Sequence, residues 1–279
     1  MMTTIFQHVL YFVVVLIVIN CVSCKENQTV ENTERFTFID DFENELQPFW
    51  DKEIADESRY SIVDDPLSPG NKVLKVHLKL EDMVANGRRA EFPLWPSDSL
   101  GFKTNYRFRF MLPEDFFHSD ESEGQIIIHQ FHDMPDPGFD WSNQHKVTHP
   151  PVYLSVKRDD NHVYTMLFRT GLETGGMNES VIAESKVPLI PNKWYVFSNE
   201  IYWHVYTNKA YAIPKLDDEY MFTEEVNGRK SHKIRRRNMY NSIPNYPKIG
   251  LYRQGGELHD RTIYFDDFYY ETRRAGDFQ

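Results

Sequence analysis

Cysteine is nearly absent from this 279-residue chain. Cys21 and Cys24 are its two cysteines, and both lie at the end of an apolar N-terminal segment. The rest of the chain therefore cannot form an internal disulfide, and its stability must come from the burial of apolar side chains. No Cys or His cluster has the spacing of a zinc site, so no metal ligand is predicted. Loop carboxylates could hold a structural calcium ion, but the sequence identifies no ligands for one.

Basic residues are also scarce, with 31 Lys and Arg against 42 Asp and Glu and a formal net charge of −11. This balance argues against a nucleic-acid partner, because a polyphosphate favours a basic surface. One segment, RKSHKIRRR at Arg229 to Arg237, contains six basic residues and no acidic ones. Its two interpretations are a solvated loop and a contact for a polyanion.

Long apolar runs are confined to the N-terminus, where the stretch from Val9 to Ile19 is followed by small or neutral residues. It is short for a membrane span, so we predict a signal peptide at residues 1–24, with a membrane anchor as the less favoured alternative. A linker at 25–35 and a single domain at 36–274 are expected to follow. The glycosylation acceptors Asn27 and Asn178 agree with a secreted, extracellular glycoprotein. We also expect a monomer without a stable membrane span in the mature chain.

No segment shows a long apolar stripe at helical spacing, whereas Phe, Tyr and Trp make up 15% of the chain. Short apolar or alternating stretches separated by turn residues predict strands. The predicted strands are RFTFIDDF, KVLKVHLKL, YRFRFML, QIIIHQFH, VYLSVKR, YTMLFRT, WYVFSNEIYW, KIGLYRQ and IYFDDFYYE. The expected fold is an all-β, antiparallel β-sandwich with a substrate groove on the outer face of one sheet.

The first segment with chemical potential contains Arg89-Ala90-Glu91. In an extended strand Arg89 and Glu91 point to one face, so the guanidinium could form an ion pair with the carboxylate. A structural ion pair on an exposed strand face is the simpler interpretation.

The second segment runs from Gly124 to Asp133. Alternation predicts that Gln130 and His132 share one face with Ile126 and Ile128, while Ile127, His129 and Phe131 share the other. An amide beside an imidazole at the end of a strand favours a functional role as much as a structural one.

The third segment runs from Tyr246 to Gln254. Lys248, Gly250 and Tyr252 share one face, and the missing side chain of Gly250 could leave room for a ligand to approach the backbone. Core or rim packing of Tyr252 is the alternative.

Together the three segments resemble the jelly-roll polysaccharide lyases, which include the alginate, glucuronan and heparin I lyases. Those enzymes carry an Arg-x-Glu, a Gln-x-His and a late Lys-x-Gly-x-Tyr strand in this order. The resemblance implies a jelly-roll, concanavalin-like fold and an acidic polysaccharide partner. Alginate-type motifs have a second Arg two residues after the Glu, where this chain has Pro93, so glucuronan or heparin-like substrates are favoured over alginate.

The implied reaction is β-elimination, in which a base removes the C5 proton of a uronate and the oxygen at C4 leaves. The resemblance implies that Arg89, Glu91, Gln130 and Lys248 form the substrate-binding set, with Arg89 and Gln130 offsetting the substrate carboxylate. His132 could be the base with Tyr252 as acid, or Tyr252 could serve as both. This chemistry requires no cofactor.

Two other functions compete with the lyase. The same scaffold could act as a non-catalytic, lectin-like carbohydrate binder. A sandwich glycoside hydrolase would need two carboxylates beside the scissile bond, and the Glu-x-Asp-x-x-Glu strand typical of such hydrolases is not found. The presence of both His132 and Tyr252 favours the lyase.

Overall fold

The computed structural model describes residues 35–95, 98–118, 124–135, 138, 149–174, 177–253 and 259–275. The predicted signal peptide and all of the predicted linker except Arg35 lie outside the described residues. Both cysteines and Asn27 lie there as well. In the part that is described, no helix is long and apolar enough to cross a membrane.

Strands form nearly all of the regular structure, and the described residues contain no α-helix. Two short 3-10 helices lie at Glu57–Arg59 and Glu114–Phe116. The strands are β1 Arg35–Asp40, β2 Tyr60–Asp65, β3 Ser68–Leu78, β4 Arg88–Pro93, β5 Phe102–Met111, β6 Gly124–Asp133, β7 Val152–Arg158, β8 Tyr164–Thr170, β9 Glu173–Thr174, β10 Met177–Asn178, β11 Val181–Glu184, β12 Trp194–Tyr202, β13 Tyr211–Leu216, β14 Glu219–Tyr220, β15 Glu224–Val226, β16 Arg229–Ser231, β17 Asn245–Arg253 and β18 Arg261–Arg274. All nine predicted strands are confirmed.

Two antiparallel sheets make up the sandwich. Seven strands of the larger, eight-stranded sheet have the order β14-β13-β12-β5-β18-β3-β2. The eighth strand, β1, pairs with the C-terminal half of β18. The smaller sheet has the order β11-β8-β7-β6-β17-β4. Neighbours distant in sequence, such as β5 beside β18, are typical of a jelly roll. The predicted antiparallel sandwich is confirmed.

Aromatic side chains fill the space between the sheets. Phe108 of β5 packs against Phe197 of β12 and Phe265 of β18, with ring centroids 5.6 and 5.8 Å apart. Phe168 of β8 reaches Phe197 from the smaller sheet at 6.0 Å. Many of the aromatic residues seen in the sequence therefore stabilise the interior by apolar burial.

A β-bulge in β6 makes the face assignment predicted from strict alternation wrong. The pairing of β6 with β7 shifts between Ile127 and His129, which adds one residue to β6. Ile126 and Ile128 therefore belong to the core, together with Phe131. His129 also faces this interior, 4.8 Å from the ring of Tyr106. Beyond the bulge, Gln130 and His132 lie on the opposite, outer face.

Gly250 allows two strands to approach closely and does not open space for a ligand. Its φ is +137°, and a Cβ would collide with the carbonyl oxygen of Ala90 and lie 2.8 Å from Cα of Glu91. Both atoms belong to the backbone of β4, which pairs with β17 at this point. The ligand-approach interpretation is therefore wrong, because the neighbouring strand occupies that space.

Replacing Gly250 with Ala should lower the free energy of unfolding by about 2–4 kcal/mol, since backbone strain and overpacking act together. Gly228, in the turn between β15 and β16, is a matched control. It also has a positive φ, +73°, but no atom lies within 4 Å of its hypothetical Cβ. Gly228→Ala should cost about 1 kcal/mol. Urea unfolding of both variants checks this, and equal losses would contradict the close-approach role.

Candidate active site

A polar row crosses the outer face of the smaller sheet. Cross-strand pairing places Arg169 of β8 beside Tyr153 of β7, Tyr153 beside Gln130 of β6, and Gln130 beside Lys248 of β17. Arg169 donates from Nη1 to the hydroxyl of Tyr153 over 3.2 Å. Side chains that pair directly across strands share a face, so this row runs perpendicular to the strands.

Glu53 joins the two cations of the predicted site. Lys248 donates from Nζ to both of its carboxylate oxygens at 2.7 and 2.8 Å, and Arg89 Nη1 donates to Oε2 at 2.9 Å. The backbone holds Glu53 in place, because its amide donates to the carbonyl of Glu91 at 2.8 Å and its carbonyl accepts from the Glu91 amide at 3.0 Å. Arg89 and Lys248 are thus brought together by a carboxylate between them.

Glu91 and Gln130 extend this cluster into the protein. Gln130 Nε2 donates to Oε1 of Glu91, and Arg89 Nη1 lies 3.3 Å from Oε2. Glu91 and Gln130 are each 1% exposed, and Lys248 is 2% exposed. The predicted binding set is therefore assembled, but most of it is buried. Arg89 is more exposed than Glu91, Gln130 and Lys248, and so is Glu53, which was not predicted.

The two carboxylates of the cluster have opposite pKa shifts. Burial raises the pKa of Glu91, and the attraction of Lys248 and Arg89 only partly offsets this effect. Burial acts on Glu53 in the same direction, but Lys248 and Arg89 outweigh it and hold the pKa of Glu53 below its usual value. Glu53 is therefore ionised at neutral pH, whereas burial makes Glu91 easier to protonate than a free glutamate.

His132 lies at the end of β6 next to this positive charge. Its Nδ1 is 2.9 Å from the carbonyl oxygen of Asp133, an arrangement in which Nδ1–H donates and Nε2 carries the lone pair. Burial, reinforced by the positive charge of Lys248, lowers the pKa of His132 to about 4. The imidazole is therefore neutral at physiological pH and can accept a proton.

Tyr246 is the phenol beside His132. The two residues pair across β17 and β6, and their ring centroids are 6.0 Å apart. Tyr246 also stacks on Trp95 at 4.5 Å, and Lys248 Nζ lies 5.3 Å from its ring centre. Burial raises the pKa of Tyr246, so its neutral form, which can donate a proton, is favoured.

Tyr252 lies at the other end of the cluster. It pairs with Arg89 and with Ile127, five residues before His132. One of these five is the extra residue of the bulge, so the separation is roughly 13 Å along β6 at ~3.3 Å per residue. Arg89 lies over the Tyr252 ring, with its Cζ 4.5 Å from the centroid. The ring also packs against Gly87, on the side away from His132. Cross-strand pairing therefore places Tyr246, and not Tyr252, directly beside His132.

The motifs did not identify Glu53 or Tyr246 as site residues. No pattern marks Glu53, because only the pairing of its backbone with Glu91 brings it to the cations. Tyr246 had a usable signal, since alternation along β17 places it on the same face as Lys248. Among the described residues, no group of three or more His, Cys, Asp or Glu side chains could hold a metal ion.

A jelly-roll sandwich with clustered cations, an imidazole and a phenol on one outer sheet face is suited to an enzyme that acts on an acidic polysaccharide. The sequence profile of the family described as polysaccharide lyase matches residues 44–269. The chain therefore belongs to the polysaccharide lyase family, and it is a polysaccharide lyase. The family resemblance inferred from the three motifs is confirmed.

Several solved structures are similar to this chain. An endo-β-1,4-glucuronan lyase from the fungus Trichoderma reesei has a TM-score of 0.59 and 16% identity, covering 84% of this chain and 94% of that one. An alginate lyase in complex with dimannuronate has a TM-score of 0.49 and 14% identity, covering 73% and 76%. A family 7 alginate lyase from Zobellia galactanivorans has a TM-score of 0.46 and 10% identity, covering 77% and 81%. No curated protein sequence matches the chain.

Proposed function

We propose that this enzyme cleaves a glucuronate-containing polysaccharide, with glucuronan as its substrate, by β-elimination at the outer face of the smaller sheet. The observation that carries the proposal is the adjacency of His132 and Tyr246, 6.0 Å apart between ring centroids, beside the Arg89–Lys248 cluster. A base, an acid and stabilising positive charge are the three things that the reaction requires.

His132 acts as the base and Tyr246 as the acid. Nε2 of His132 removes the C5 proton, the C5–H electron pair forms the C4–C5 double bond, and the C4–O4 bond breaks. Tyr246 donates its phenolic proton to the departing O4, and the imidazolium then returns a proton to the tyrosinate. Because C5 and O4 are separated by only two bonds, acid and base must converge, which His132 and Tyr246 satisfy and His132 and Tyr252 do not.

The positive cluster stabilises the charge that develops during proton removal. The C5 proton is weakly acidic while the substrate carboxylate is ionised, so nearby cations are needed as the enolate-like transition state forms. Arg89 is placed to contact the substrate carboxylate, since its side chain is more exposed than that of Lys248. Lys248, Gln130 and Glu91 act from behind it by holding the cluster in place, and the positive charge of Lys248 also helps to keep His132 neutral.

Stereochemistry supports glucuronate over its C5 epimers. In glucuronate and mannuronate the C5 hydrogen and O4 lie on the same side of the sugar ring, whereas in guluronate and iduronate they lie on opposite sides. His132 and Tyr246 approach from one sheet face, which suits a same-side elimination. Pro93, in place of the second arginine of alginate-type motifs, and the fold likeness to a glucuronan lyase favour glucuronan further.

Incubation with glucuronan, heparin, heparan sulfate and alginate tests the substrate assignment. Ultraviolet absorbance from an unsaturated product should rise fastest with glucuronan. Exclusive activity on guluronate-rich alginate or iduronate-rich heparin would contradict the stereochemical argument. Failure with all four polymers would contradict the proposed substrate class.

The pH dependence should report the lowered pKa of His132. Only the neutral imidazole can accept the C5 proton, so kcat/KM should be lost as the pH falls through about 4, well below the usual histidine range. Lys248→Met removes a positive charge that lowers this pKa, so the inflection should move to higher pH. A titration of the substrate itself would not move with the variant. A wild-type inflection near 6.5 would contradict the assigned base.

We propose that the elimination requires no metal, because Arg89 and Lys248 supply the positive charge at the site. Dialysis against a chelator should leave the initial rate on glucuronan unchanged. A loss of rate that calcium restores, with no change in thermal unfolding, would contradict this assignment.

We further propose that the enzyme acts outside the cell. The apolar segment from Val9 to Ile19 and the small residues after it support a cleaved signal peptide. Expression of the full chain in a secreting host should release a product whose N-terminus lies beyond Ser23. Retention of the intact N-terminus in membranes would contradict secretion.

A further inference from the structure

The outer face of the larger sheet, opposite the catalytic face, carries a shallow cavity of about 490 Å³. Cross-strand pairing explains its lining, since Lys215 of β13 pairs with Ser198 of β12, Ser198 with Arg107 of β5, and Arg107 with Tyr269 of β18. Tyr220 of β14 continues this row beyond Lys215. The row thus places two cations between two tyrosines on one sheet face.

The positive charge of this cavity is not neutralised. Within the described part of the chain, neither Arg107 nor Lys215 forms an ion pair, and Lys215 Nζ lies 4.5 Å from the ring centre of Tyr220. Glu200 is the acidic residue of the lining, and it is held by Lys103 at 2.5 Å and by the hydroxyl of Tyr211 at 2.9 Å. A cationic cavity in a chain of net charge −11 suits an anionic ligand.

Part of the basic segment borders the same cavity. His232 stacks on Tyr220 with ring centroids 3.6 Å apart, and Lys233 Nζ lies 4.2 Å from the ring centre of Tyr211 on β13. Arg237, at the end of the segment, instead forms an ion pair with Glu179 at 2.6 Å. The basic segment therefore adds the positive charge of Lys233 to the cavity edge, and it is not a wholly solvated loop, since Ile234 is buried.

We propose that this cavity and its basic edge form a second binding surface that holds an acidic polysaccharide without cutting it. We call it the outer-sheet surface and define it by Arg107, Lys215, Tyr220, Tyr269, His232 and Lys233. Arg107 and Lys215 bind carboxylates of the chain, and the ring of Tyr269 packs against a sugar, while Tyr220, which lies between His232 and Lys215, holds that lysine in place. The ligand class rests on the proposed function, and the surface keeps the enzyme on its polymeric substrate.

Affinity electrophoresis in gels containing glucuronan tests this surface, with every variant built on His132→Ala so that the polymer is not cut. Arg107→Ala/Lys215→Ala should weaken the apparent Kd about tenfold, since two charge contacts are lost. Lys186→Ala/Arg274→Ala is the matched control, because it removes two exposed cations outside the cavity. The control should change the Kd by less than about twofold.

Equal weakening of the Kd by both double variants would show that binding depends only on net charge, and it would contradict the proposed role of the outer-sheet surface. No weakening by Arg107→Ala/Lys215→Ala would also overturn it, as would equal retardation in gels containing neutral dextran. The ultraviolet assay of the wild-type enzyme is independent of these results. If glucuronan is bound through Arg107 and Lys215 but never cleaved, the proposed function fails and the outer-sheet surface stands.

Discussion

His132→Ala should lower kcat/KM on glucuronan by about a thousandfold, within the range that general acid–base catalysis usually contributes. The substitution removes the group that accepts the C5 proton and leaves the Arg89–Lys248 cluster intact. Most of the loss should therefore appear in kcat, with little change in KM. Steady-state kinetics by ultraviolet absorbance measure both constants.

His77→Ala is a suitable control for this substitution. His77 lies on β3 of the larger sheet, where Nδ1 is 3.1 Å from Oγ1 of Thr262. It is also partly buried, so the comparison separates the loss of a base from the loss of an imidazole. Retention of more than about a tenth of the activity by His132→Ala would show that another group removes the proton.

Tyr246→Phe should lower kcat by about a hundredfold to a thousandfold, because it removes the proton donor to O4 and preserves the ring. The stacking on Trp95 and the position of the ring beside His132 should persist. Thermal unfolding should therefore change little, which separates a catalytic effect from a structural one. Binding of glucuronan by the variant should also persist.

Tyr252→Phe is the matched comparison, since it removes the same hydroxyl from the same strand. Because Tyr252 lies against Arg89 and Gly87, away from His132, its kcat should stay within about twofold of the wild type, a change of about 0.5 kcal/mol. The opposite ranking of the two variants would restore Tyr252 as the proton donor. It would also require a pairing of β6 with β17 different from the one described.

The strands of the fold were predictable because the pattern that identifies each one lies within its own short segment. Each of the nine predicted strands carries its own alternation of apolar and polar residues and is bounded by turn residues. Short pairs such as β15 with β16 lack that pattern, and their signal lies in the turn residues instead. Asn227 and Gly228, both with positive φ, connect that pair and mark it as a tight hairpin.

The site was predictable as a set of residues but not as an arrangement. Arg89, Glu91, Gln130 and Lys248 meet, as their motifs indicate, because β4, β17 and β6 are neighbours. Which tyrosine lies beside His132 depends on the register of β17 against β6, and a motif does not specify register. The bulges in these strands change that register further, since each adds a residue that alternation does not reveal.

Lys248 differs from the sequence-based expectation because it is buried. From the sequence, Lys248 is expected to be a cation that can contact a ligand. In the structure it binds Glu53, and the surrounding side chains leave it 2% exposed. The partner comes from a segment 195 residues away, outside any motif. A buried pair of this kind leaves an uncompensated charge when one partner is removed, which typically costs about 3–5 kcal/mol. Lys248→Met is therefore expected to lose stability as well as activity.

Glucuronan carrying deuterium at C5 tests the proposed elimination most directly. If His132 removes the C5 proton while O4 departs, the products should have lost that deuterium to the solvent, and the unsaturated end should contain none. The label should also slow kcat when proton removal limits the rate. Products that retain the deuterium and lack ultraviolet absorbance would show hydrolysis instead, and would contradict the proposed reaction.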